Sequence, residues 1–182
     1  MHSSLADILH AWHDFYLLSG TASATLLGLM FVAASIGASV FTEKDRAPMR
    51  AFLSPTAVHF CAVLFICILA AIPSHTWLTL SVLLALGGAA GVIYSSRVWV
   101  ELFVRHRFNV DLIDRMLYAF APVLGYLLIL VAAALLLLQW SSSLDVLAAA
   151  LVALLLAAVR NAWDMMIWLV IRVPVPERGN QA

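Results

Sequence analysis

Arg115 to Gln139 reads RMLYAFAPVLGYLLILVAAALLLLQ. Between Met116 and Leu138 there is no charged residue, and only Pro122 and Gly125 disfavour a helix. A helix rises about 1.5 Å per residue, so about 20 apolar residues cross a hydrocarbon core of about 30 Å. Four further runs reach that length: Tyr16 to Phe41, Ala51 to Ile72, Thr76 to Phe103 and Leu144 to Ile171. The composition agrees, since 64% of the 182 residues are hydrophobic, 11% are charged, and the formal net charge is zero. A soluble domain carries about 25% charged residues, so a soluble globular enzyme is excluded. The expected fold class is an all-α integral membrane protein, a bundle of five transmembrane helices.

The divisions between spans rest on turn chemistry. Pro73-Ser74-His75 separates the second from the third, and Ser141-Ser142-Ser143 with Asp145 the fourth from the fifth. The alternative is four spans with a long kinked second helix. The basic residues favour five, because cytoplasmic loops collect Lys and Arg. Lys44, Arg46 and Arg50 flank the first loop, Arg105, Arg107 and Arg115 the third, and Arg172 and Arg178 the tail. The second and fourth loops have none, which orients the chain N-out and C-in. Trp12, Trp77, Trp140 and Trp168 fall near span ends as interfacial anchors. Residues 1–15 read as an interfacial amphipathic segment, 16–172 as the transmembrane domain, and 173–182, with Pro174, Pro176 and Gly179, as a flexible cytoplasmic tail. The opening residues lack a basic n-region, so no cleaved signal is expected.

Several chemistries lack their residues. There is no basic run that would serve nucleic acid. Cys61 and Cys67 form neither a CxxC nor a zinc pattern and read as reduced packing residues. The single lysine, Lys44, lies in a loop, which leaves no site for a retinal Schiff base. His59 is the one well-placed intramembrane histidine, with His75 at the opposite surface, so bis-histidine haem is not expected. GxSxG, P-loop and HExxH patterns are absent, and a Ser/His dyad is specified by nothing. The expectation is a non-enzyme without a cofactor. Asp7, His10 and Asp14 recur at i, i+3 and i+7 beside His13, a weak metal candidate against the blander reading of a polar face opposite Leu5, Ile8 and Trp12.

The first span is crowded with small and hydroxyl residues, and Thr21, Thr25, Gly28, Val32, Ser35 and Ser39 form one seam at heptad spacing. The simpler meaning is dry packing, with Gly20, Ala24 and Gly28 as a ridge and the hydroxyls bonded to their own i−4 carbonyls. The sharper one is a narrow wet path between copies of this helix around an axis. Gly87, Gly91 and Ser95 give the third span a smooth face, for which the first span is the simplest partner.

Charges inside spans cost about 2.5 to 3.5 kcal/mol each on insertion scales and need partners. Counting about 1.5 Å per residue from the basic anchors, Glu101 lies about 6 Å deep, Arg97 and Asp164 about 12 Å, His59 about 13 Å and Arg160 about 18 Å. The favoured arrangement is local, Arg97 with Glu101 and Arg160 with Asp164, the arginines snorkelling toward the cytoplasm. The functional alternative pairs Arg97 with Asp164 across helices, with His59 as a titratable neighbour and Asn161 donating beside Arg160.

Trp12-His13-Asp14-Phe15-Tyr16, followed by Gly20, Ala24, Leu27-Gly28-Leu29 and Phe31-Val32-Ala33, resembles the opening of a group of small bacterial polytopic inner-membrane proteins. Ser54-Pro55-Thr56 and His59-Phe60 resemble that group's second helix. The resemblance covers the chain through its second span and implies a bacterial inner membrane. Some members are labelled modulators of a membrane-anchored AAA protease, and no functional residues come with that label. The resulting expectation is a homo-oligomeric channel or transport protein for ions or small solutes, with the first helix near the conduction axis. The alternative is an accessory protein packed against a larger membrane complex.

Overall fold

Every described element of the computed structural model is a helix, which pairs its backbone polar groups within itself. The structure describes residues 5–38, 46–100 and 112–172. The elements are α1 (Leu5–Ala11), α2 (His13–Ala38), α3 (Arg46–Ala71), α4 (Trp77–Val100), α5 (Leu112–Leu137) and α6 (Ser143–Arg172). Five of them, α2 to α6, are long and apolar enough to cross a membrane. That is the five-span division, and the four-span alternative fails because α3 stops at Ala71, ahead of Pro73.

Local chemistry sets the breaks. Thr76 caps α4: its Oγ1 accepts the Thr79 backbone N–H at 3.1 Å, satisfying one of the donors a helix start leaves open. At the end of α5 the Trp140 N–H reaches the Leu135 carbonyl at 3.0 Å and the Gln139 N–H the Leu136 carbonyl at 3.0 Å. This paired closure holds Gln139 at φ 57°, a left-handed position that glycine usually fills. The chain then turns through 138–142 into α6, so α5 and α6 run antiparallel. We call the end of the bundle formed by 72–76 and 138–142 the turn end.

Helices α3, α4, α5 and α6 close a ring in which α4–α5 and α5–α6 are the most extensive interfaces, α3 meets α6, and α3 meets α4 more lightly. Helix α2 lies outside the ring against α3, with a smaller contact on α6. At the turn end α1 folds back on α2 and α3, burying Leu5 and Leu9, with Ile8 and Trp12 packed partly beneath. Phe15 meets both Trp12 and Tyr16 edge to face where α1 passes into α2. The core runs through Val63, Leu84, Ile129, Leu136, Leu147 and Leu154. Each long helix also turns bulky apolar side chains outward, among them Phe31, Phe65, Leu86, Leu124 and Leu156. Apolar surface on all sides fits a multi-pass membrane protein, whose solvent is lipid.

The smooth face of α4 packs on α5, not on α2 as the spacing had led us to expect. Its buried stripe is Ser81, Leu84, Gly88, Gly91 and Ser95, alternating steps of three and four. A Cβ at Gly88 would come 2.9 Å from Leu130, and one at Gly91 would fall inside the Tyr126 ring, whereas one at Gly87 meets nothing within 4 Å. Ser81 donates to the Ala133 carbonyl at 2.6 Å, fastening the same seam. Gly91 and Ser95 therefore lie in the contact as their spacing suggests, with Gly88 in place of Gly87.

Candidate functional site

His59 is 3% exposed, on the α3 stripe Thr56, His59, Phe60, Val63 and Cys67 that faces the other helices. Its Nδ1 lies 3.0 Å from the Tyr126 hydroxyl of α5. The Tyr94 ring of α4 meets the imidazole edge to face, centroids 6.5 Å apart at 80°. Three helices therefore converge on one imidazole. Gly91 makes room for Tyr126 to reach it, since any side chain there would occupy the ring's place. One residue further along α3, the Phe60 carbonyl accepts the Ser23 hydroxyl of α2 at 2.7 Å. The node joins an acid–base group to two phenols inside an apolar bundle, with titratable side chains of three helices in contact.

Tyr94 and Tyr126 do not stand out in the sequence. A phenol preceded by Gly125 and followed only by Leu, Ile, Val and Ala through Leu137 is a legible signal once its register is known. Gly125 itself lets Leu154 of α6 approach α5.

The charged residues do not gather with His59. Arg160 Nε lies 3.9 Å from Asp164 Oδ2 one turn along α6, with the side chains 39% and 55% exposed. Asp164 thus turns outward and pairs locally, so the interhelical pair with Arg97 does not form. Arg97 is exposed on α4, and Glu101 lies outside the described residues. Asn161, 4% exposed, points inward, and its Nδ2 has no partner among the described residues. The shared depth inferred from sequence holds these residues on different faces, and depth alone does not assemble a site.

The seam of α2 is resolved onto one side. Thr21, Thr25, Gly28, Val32 and Ser35 are all exposed, turned away from the monomer's own bundle, and Ser39 lies outside the described residues. The Thr25 hydroxyl donates to the Thr21 carbonyl and the Ser35 hydroxyl to the Phe31 carbonyl, each at 2.8 Å. The inward face of α2 is a different set, Tyr16, Ser19, Gly20, Ser23 and Met30. The ridge Gly20, Ala24, Gly28 is divided as a result: a Cβ at Gly20 would sit 3.1 Å from the Cys67 Cβ, whereas Gly28 faces open space.

Asp7, His10 and Asp14 are exposed and form no metal-holding group among the described residues. The weak metal candidate assumed one helix through all three. The helix breaks at Trp12, which places Asp14 on α2 and off the face that carries Asp7 and His10. Compared with family models, with curated proteins and with solved structures, the chain matches none.

Proposed function

We propose that this is a bacterial inner-membrane protein, N-terminus outside and C-terminus cytoplasmic, whose copies assemble with α2 toward a common axis and pass ions or small solutes along it. The observation that carries the reading is the outward seam. Five positions of one helix, three bearing hydroxyls, turn away from their own bundle toward what would otherwise be lipid. Small and hydroxyl residues gain little against acyl chains and more against another helix or water. Thr25 and Ser35 spend their protons on their own helix, which leaves their oxygens free to accept from water or from a passing cation.

The same hydroxyl geometry supports a second reading, in which the seam packs dry against a helix of a larger complex and nothing is conducted. One experiment separates the two. Cysteines placed at Thr25, Gly28 and Ser35 should react with a membrane-impermeant thiol reagent in the assembled protein, and liposomes containing it should show flux of one class among cations, anions and protons. Protection at all three positions, with no flux across pH, voltage and divalent ions, would leave the accessory role.

A further inference from the structure

His59 is not used by the conduction reading, whose path runs outside the monomer. It is nonetheless a buried titratable group, 3% exposed, that side chains of two other helices meet. From α5 it meets the Tyr126 hydroxyl, and from α4 the Tyr94 ring. From α2, Ser23 donates to the carbonyl of the adjacent Phe60. The titratable residues of α2 are His13, Asp14 and Tyr16 at its turn end, and those described on α6 are Asp145 near one end and Arg160 and Asp164 toward the other. On α4, Arg97 is exposed three residues beyond Tyr94, and on α3 itself Cys61 is exposed yet close enough to Tyr126 to act on it electrostatically. No carboxylate contacts the ring among the described residues.

We infer that the His59–Tyr126 hydrogen bond is a proton-sensitive tie between α3 and α5, closed when His59 is neutral and released when it is protonated. Neutral imidazole offers Nδ1 to the phenol as acceptor, or donates to it in the other tautomer, and either form satisfies a buried pair. A proton bound at His59 turns the ring into a donor on both nitrogens and sets a charge among Tyr94, Tyr126 and apolar neighbours. No described carboxylate meets that charge, so it is relieved by water entering as the interface opens. The ring of helices is open to such a movement at α3, whose contact with α4 is the lightest of the four. The tie belongs to the monomer and does not depend on conduction.

The test is thermal unfolding of the full chain in micelles from about pH 8 to about pH 5, the range in which histidine changes charge. The wild type should lose midpoint as the pH falls. His59→Gln, which keeps a hydrogen-bonding partner for Tyr126 and cannot ionise, should hold its midpoint over the same range. Tyr126→Phe should start lower by about 2 to 4 °C, the shift that one lost hydrogen bond gives in a chain of this size. Wild-type and His59→Gln profiles that run parallel would overturn the tie. If a variant does not fold, the wild type labelled with ¹⁵N-histidine decides. The His59 signal should gain its proton in step with loss of the Tyr126 contact, and a protonated His59 with that contact intact would refute the inference.

Discussion

Gly91 and Gly28 are the same residue in similarly apolar helices, and the structure gives them opposite weights. Gly91 is occupied space, because the Tyr126 ring lies where its side chain would be, whereas Gly28 has nothing within 4 Å. Gly91→Ala should therefore cost about 1 to 3 kcal/mol, as overpacking does, and displace Tyr126 from His59. Thermal unfolding in micelles would measure the loss, and an unchanged midpoint would mean that α4 and α5 are not held at this separation. The amino-acid sequence shows Gly87, Gly91 and Ser95 at equal spacing, but it does not show that Gly88 replaces Gly87 in the contact. Gly87 and Gly88 point about 100° apart on a helix of 3.6 residues per turn, so only one of them faces α5 beside Gly91. Only the neighbour, here Leu130 and Tyr126, selects between the two.

At the scale of elements, the number of helices and their ends are legible, and their faces are not. The ends are written by residues with few alternatives: Thr76 as an N-cap, Pro73 beyond α3, and the serines ahead of α6. Thr76→Ala removes the oxygen that accepts the Thr79 N–H and should cost about 1 kcal/mol, readable as a lower unfolding midpoint that Thr76→Ser restores. Faces are hidden because a helix between protein and lipid is apolar on both, so the periodicity that orients a surface helix in water is lost. Depth counted from the arginines suffers the same defect. It set His59, Arg97 and Asp164 at similar levels, yet His59 faces the core while Arg97 and Asp164 face outward. Charged residues were visible in the sequence for their cost, and the two tyrosines that complete the His59 node were not, because a phenol in an apolar run is ordinary.

For the whole molecule, the main division is between a ring of four helices and a fifth laid against it. Helix α2 carries one small-residue face toward α3 and another away from the bundle, so it can be seated in the monomer and still meet a second copy. Under the proposed assembly through α2, Gly28→Leu should dissociate the copies in mild detergent while the monomer keeps its unfolding midpoint. An unaltered oligomer, measured by light scattering, would remove α2 from the interface between copies. The seat of α2 on α3 is narrow at Gly20, whose approach brings it against Cys67. Cys61, one and a half turns earlier on α3, is exposed, and Cys67 is buried. The chain consequently carries its own chemical clock. A membrane-permeant alkylating reagent should mark Cys61 faster than Cys67, which α2 covers at Gly20, so the ratio of the two adducts reports how often α2 leaves its seat without a single added label.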